Sequence, residues 1–228
     1  MRYEMDTINP CYIAIIGDLI DSKNIEHRQE VQTHLLNTLD RINSKYHQSI
    51  VSNFRITLGD EFEGLMSLNA DWICIINELY FSMHPIKIRF GVGIGNISTP
   101  IQTMNIQEMD GSAFHLARKA IEQLAKEKQK YHRNINYFKI YSCDQLKTKI
   151  MNNTLSLLSI LYGSFTRRQV EVLHAYMNNE MNQFKTAAFL KIGQPAISKT
   201  LKKTEFYKVK DSWDLLNILV MSIGEENG

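Results

Sequence analysis

Two apolar runs, Phe54–Leu58 and Glu61–Leu68, are separated only by Gly59-Asp60. A Gly-Asp step between short apolar runs is hairpin chemistry, because it supplies the positive φ that a two-residue turn needs. The pair is therefore antiparallel, and any sheet that contains it is not purely parallel. The spacing predicts strands over 11–17, 50–58, 61–68, 86–94 and 136–142. Helical periodicity is read over 25–46, 71–83, 113–130 and 143–162. The order strand, helix, hairpin, helix, strand, helix, strand argues for an α/β (α+β) layer fold. A mixed sheet with packed helices is expected, close to a ferredoxin-like topology with one added element.

Chemistry concentrates where apolar runs end in carboxylates. Ile16-Gly17-Asp18-Leu19-Ile20-Asp21-Ser22 follows the first strand, and Leu58-Gly59-Asp60-Glu61-Phe62 forms the hairpin. If those strands are neighbours, Asp18 and Asp60 converge, and two carboxylates suffice to hold Mg²⁺ with water and phosphate oxygens completing its shell. Plain turn chemistry explains either motif alone. Asp21 and Ser22 are candidates for touching a ligand phosphate or for capping the next helix. Glu61 is a further ligand or base candidate, although alternation places it opposite Asp60. Arg118 reads as a phosphate clamp or as ordinary helix surface. The stretch Arg89-Phe90-Gly91-Val92-Gly93-Ile94-Gly95 weakens a strand and marks close approach of another backbone or a ligand. Seven histidines include no His-x-x-x-His pair. His115 is the one that follows Asp110-Gly111 and is placed to face a cleft.

Composition shifts near Gly163. Helical patterns over 166–177, 183–190, 194–203 and 212–223 form a small all-α unit. Residues 184–201 resemble a helix-turn-helix: Ala187 lets two helices cross, Ile192 plugs the turn, and Ile197 and Leu201 line the inner face of the second helix. Pro195 fits a first helical turn. Lys191 stands where such turns commonly carry Gly. From Lys185 to Lys210 seven lysines face the single acid Glu205, a local field suited to phosphates. Gln194 and Ser198 suit base edges, and Lys199, Lys202 and Lys203 suit the backbone of double-stranded DNA. A helical module that docks on a protein is the competing reading.

The chain carries 228 residues, 44% of them hydrophobic, and a formal charge of +2. It is no general polyanion binder, and its composition supports a real core. Cys11, Cys74 and Cys143 lack any Cys-x-x-Cys spacing and read as reduced, buried thiols of a cytoplasmic protein. No apolar run is long enough to span a bilayer, and no signal peptide is expected.

Gly17-Asp18-Leu19-Ile20, Leu58-Gly59-Asp60-Glu61-Phe62, Arg89-Phe90-Gly91-Val92-Gly93 and the stretch 110–119 resemble class III nucleotidyl cyclase domains in their order. Joined to a carboxyl-terminal helix-turn-helix, they resemble the SatD family over nearly the whole chain. The resemblance implies a cyclase-like domain over 1–148, a connecting helix over 149–163 and a helix-turn-helix domain over 164–228. It implies Asp18, Asp60 and the Leu19 carbonyl as Mg²⁺ ligands, a phosphate near the loop of Asp21 and Ser22, and a homodimer. The catalytic Asn and Arg of cyclases fall on His115 and Lys119, so neither is present, and the residues that read adenine have no clear counterpart. The expected function is a regulator that binds DNA and whose binding is linked to a Mg²⁺-nucleotide. The alternatives are an active cyclase or nucleotidyl transferase with a regulatory module, and an interaction protein with a relic site.

Overall fold

The computed structural model describes residues 10–24, 26–101, 106–130 and 136–225. Residues 1–9 with their turn signal, Ile25, and 102–105 of the polar loop lie outside the described residues. The elements are β1 (Cys11–Leu19), α1 (Arg28–Lys45), β2 (Ile50–Leu58), β3 (Glu61–Ser67), α2 (Trp72–Ser82), β4 (Ile88–Asn96), α3 (Ser112–Lys130), β5 (Phe138–Tyr141) and α4 (Gln145–Gly163). Four helices follow: α5 (Arg167–Asn178), α6 (Gln183–Leu190), α7 (Gln194–Lys203) and α8 (Phe206–Glu225).

The five strands form one mixed sheet in the order β2-β3-β1-β4-β5. β1 is antiparallel to both β3 and β4, and only β4 and β5 run parallel. The first four strands follow the ferredoxin-like order, with β5 added at one edge. The hairpin forms as expected, with Leu58 opposite Glu61 and Gly59 at φ 64°. One expectation is corrected: β1 and β2 are not neighbours, because β3 lies between them. Asp60 reaches the end of β1 only because it sits at the hairpin tip.

The sheet is covered on both faces, which is why β1 reads as a continuous apolar run. Ile13 and Ile15 enter the large core shared with α1, α2 and α4, whereas Ala14 and Ile16 enter a smaller core with Ala113, Phe114, Ala117 and Ile121 of α3. The glycine strand is explained here. A Cβ on Gly93 would stand 2.0 Å from the Ala113 carbonyl oxygen, and one on Gly91 would stand 2.4 Å from that of Ala117. The backbone that approaches β4 is α3. Both sheet edges are closed by an asparagine amide: Asn43 of α1 bonds the N–H and C=O of Phe54, and Asn152 of α4 bonds those of Ile140. Each side chain mimics a missing strand and blunts an edge that could template aggregation.

α2 corrects a second expectation. It reads as amphipathic, yet nine of its eleven residues are buried, because α5 and α8 cover the side that faces away from the sheet. The closing helix also starts at Phe206 rather than 212, since Phe206 and Val209 continue the buried row of Trp213, Leu216 and Val220. The expectation of three buried thiols is corrected: Cys143 is exposed, and Cys11 and Cys74 are only half-buried.

Candidate functional site

Residues opposite each other in an antiparallel ladder share a face. Register places Asp18 between Glu61 of β3 and Arg89 of β4. A row Glu61-Asp18-Arg89 therefore crosses three strands on the α3 side, with Glu63, Ile16 and Gly91 in the next row. Arg89 Nε donates to Asp18 Oδ2 at 2.7 Å, and its Nη2 donates to the same oxygen. Arg118 reaches down from α3, donating through Nη1 to Glu61 Oε2 at 2.6 Å and through Nη2 to Glu63 Oε1. Burial pushes the Asp18 carboxyl above the usual carboxylate range; Arg89 opposes this, while the charges of Asp60 and Glu61 reinforce it. Burial likewise raises Glu63, against the pull of Arg118. Four acids and two arginines thus share this end of the sheet. An open pocket of about 520 Å³ adjoins it, with Glu61, Glu63, His115 and Arg118 on its polar side and Ile16 and Phe114 on its apolar side.

Asp60 Oδ2 is buried and has no hydrogen-bond partner among the described residues. Such an atom is costly unless something absent from the protein itself satisfies it. A carboxylate oxygen of this kind, beside Asp18, fits a hard cation that brings its own water or phosphate oxygens. Among the described residues no three His, Cys, Asp or Glu side chains are placed to form a complete metal cage.

At the other end of the chain, three residues join α6 to α7. Lys191 caps α6 in the left-handed region at φ 53°, so the turn accepts a lysine where glycine is cheaper. Ile197 and Leu201 of α7 are fully buried, and Lys199, Lys202 and Lys203 are exposed.

A family model described as the SatD family matches residues 12–210. The chain belongs to the SatD family. No curated protein matches its sequence. Among solved structures it is similar to a bacterial light-regulated adenylyl cyclase, at 11% identity over 57% of this chain and 75% of that one, with a TM-score of 0.38. The adenylyl cyclase CyaB from P. aeruginosa overlaps 49% of this chain and 71% of its own at 13% identity, with a TM-score of 0.32. Overlaps this loose assign no residue roles.

In this SatD-family chain the sequence-derived candidates divide into groups. Asp18 and Asp60 come within electrostatic reach of each other. Leu19 is the last residue of β1, paired with Ile88. Asp21 takes φ 60° and Ser22 opens a single 3-10 turn. Capping of α1 by these two is corrected: His27 holds the N-cap position, with no side-chain cap bond. Arg118 is held by two carboxylates, so an incoming phosphate must compete with them. His115 lines the pocket but is exposed, its Nε2 3.1 Å from Asp110 Oδ1. Lys119 lies apart, its ammonium 4.7 Å from the Tyr141 ring centre. Gln194 is half-buried and donates to Gln183 Oε1 at 2.6 Å, while Ser198 is partly exposed. Glu61 shares the Asp18 face through its register. Sequence reasoning missed Arg89 and Glu63 as parts of the site. The signal was the pairing: once β1 and β4 are antiparallel, the last carboxylate of one strand meets the first arginine of the other.

No helix among the described residues is long and apolar enough to cross a membrane.

Proposed function

We propose that this SatD-family protein is a regulator that binds double-stranded DNA through an α6–α7 helix-turn-helix and binds a Mg²⁺-nucleotide at the acidic end of its sheet. The observation that carries the DNA reading is the division of α7. Its inner residues Ile197 and Leu201 are sealed, while Lys199, Lys202 and Lys203 stand exposed on a helix preceded by a three-residue turn. Lysines on an exposed helix neutralise phosphates and release counterions. Gln194 must leave Gln183 to reach a base edge, which separates a positioning state from a reading state.

The orphaned Asp60 oxygen supports the nucleotide reading. Bound Mg²⁺ would supply positive charge to hold phosphate oxygens beside four acids. Asp18 and Asp60 would hold it, and Arg89 stands next to Asp18 as a phosphate partner. The exposed positions of His115 and Lys119 favour binding over cyclisation, since neither is fixed against the acidic row.

Fluorescence anisotropy with labelled duplexes at rising salt tests the DNA reading. Lys199→Ala and Lys202→Ala should each weaken binding to all sequences and lower the salt slope by about one. No binding at low salt overturns it. In that event the exposed Phe184 and Phe189 of α6 favour the second reading, a module that docks on a protein partner. Thermal shift with a nucleotide panel, with and without Mg²⁺, tests the other half. Stabilisation should require Mg²⁺ and vanish in Asp18→Asn and Asp60→Asn. Cyclic nucleotide formation that is lost in Asp60→Asn would instead favour the enzyme.

A further inference from the structure

α4 turns Met151, Leu155, Leu158 and Tyr162 inward. Its opposite face should then be polar. Instead it carries Leu146, Ile150, Leu157 and Ile160, between 44% and 69% exposed, with exposed Asn153 at the centre. The steps along Leu146, Ile150, Asn153, Leu157 and Ile160 are four, three, four and three residues, the heptad spacing of a helix that packs lengthwise on another helix. None of these residues takes part in the acidic site or the α6–α7 unit.

We propose that the outer face of α4 is a self-association seam, on which α4 of a second copy packs antiparallel with Asn153 at the two-fold axis. The row is self-complementary about its centre. Asn153 opposite its twin sets Ile150 against Leu157 of the second copy, and Leu146 against Ile160. Every aliphatic meets an aliphatic, and the one polar side chain meets a partner that can both donate and accept. A single polar residue in such a seam fixes register, because any slip buries an unpaired amide. Charge selects the direction. Lys149 lies beside the row near the α4 N-terminus, and a parallel pair would bring two such lysines and two positive helix ends together. The antiparallel pair holds them apart.

The neighbouring helix widens the contact. α8 runs antiparallel beside α4, as the bonds from Lys147 Nζ to the Ser222 carbonyl at 3.3 Å and from Trp213 Nε1 to Tyr162 Oη at 2.9 Å require. It exposes Leu215, Ile218 and Met221 at 44% to 61%. Four aliphatics alone make a narrow contact. A stable pair needs roughly 1,200 Å² of total buried surface, so the proposal requires these α8 side chains to join the row. The seam does not depend on DNA or nucleotide binding.

Sedimentation velocity over a concentration series tests association. The expected result is a species of twice the 26.5 kDa chain mass. Leu157→Asp and Ile150→Asp should each return it to the monomer, with an unchanged circular dichroism spectrum. Crosslinking tests direction in a chain that also carries Cys143→Ser, so that it needs no charge variant to fold. Under mild air oxidation, Asn153→Cys should give a covalent dimer. The double variant Leu146→Cys/Ile160→Cys should do so too, and neither of its single variants should. Three outcomes overturn the proposal: a monomer at every concentration, a dimer indifferent to Leu157→Asp, or crosslinking by Leu146→Cys alone. The first leaves the stripe to another protein or a lipid surface, and the last means a parallel pair.

Discussion

Asp18 and Arg89 are about four-fifths buried as side chains, at 20% and 19% exposure, and each is the other's charge partner. Removing one leaves the other charged in a poor solvent, which costs more than the pair itself contributes. Arg89→Met should therefore lower stability by about 1–3 kcal/mol, measured by urea unfolding. Adding Asp18→Asn should restore part of that loss. His174 gives the pH dependence. Burial comes first among the causes that lower its pKa from 6.5 to about 4, and the nearby Arg41 adds to it. The neutral ring accepts a bond from Asn178 Nδ2 at 3.0 Å. The unfolded chain takes up a proton at this residue below pH 6.5, whereas the folded chain waits until about pH 4. The stability linked to His174 is thus complete above pH 6.5 and is lost progressively as pH falls through that window. His174→Gln should flatten the urea midpoint against pH across the interval. At this scale the sequence showed Asp18 and Asp60, because each carboxylate ends an apolar run. It could not show Arg89 or Glu63 as their company, because side-chain neighbours across strands depend on register.

The elements were more legible than their partners. Helix period and turn chemistry placed α6 and α7 at their observed limits, since Asn182, Gly193 and Pro195 mark the ends. The glycines of β4 announced a close approach but not whether helix or ligand makes it. The answer yields a paired prediction. Gly93→Ala forces a Cβ against the backbone of α3, which cannot yield as a side chain would. It should cost about 1–3 kcal/mol or more. Gly163→Ala meets nothing closer than Tyr137 Oη at 3.7 Å, and it lies at the end of α4 without positive φ. It should be neutral or stabilising by up to about 1 kcal/mol. Denaturant midpoints of the two variants read the difference. Equal effects would mean that α3 adjusts freely on β4, contrary to its tight seating.

Over the whole molecule, α2 joins the two halves of the sequence. Its string Trp72-Ile73-Cys74-Ile75-Ile76 is apolar on every side, the composition of a helix covered all round rather than of a surface helix. That was the available signal that something beyond the sheet packs on it, and the shift in composition near Gly163 concealed what. Polar stitches accompany the packing: Trp213 donates to Tyr162, Asn217 Nδ2 donates to Asp71 Oδ1 at 2.7 Å, and Lys45 Nζ donates to Asn178 Oδ1 at 3.1 Å. One buried cluster runs from Ile13 of β1 to Ile223 of α8. A continuous core predicts one cooperative transition rather than two. The two tryptophans make the test direct. With Trp213→Phe, fluorescence reports Trp72 beside the sheet; with Trp72→Phe, it reports Trp213 on α8. Each variant has its own stability, so its fluorescence midpoint is compared with the far-ultraviolet dichroism midpoint of the same protein. Coincidence in both variants is expected. A fluorescence transition that precedes the dichroism transition in the Trp72→Phe protein would mean that the carboxyl-terminal helices melt from α2 on their own. Helices α5 to α8 would then be a separable unit, whose contact with the sheet is weak enough to shift.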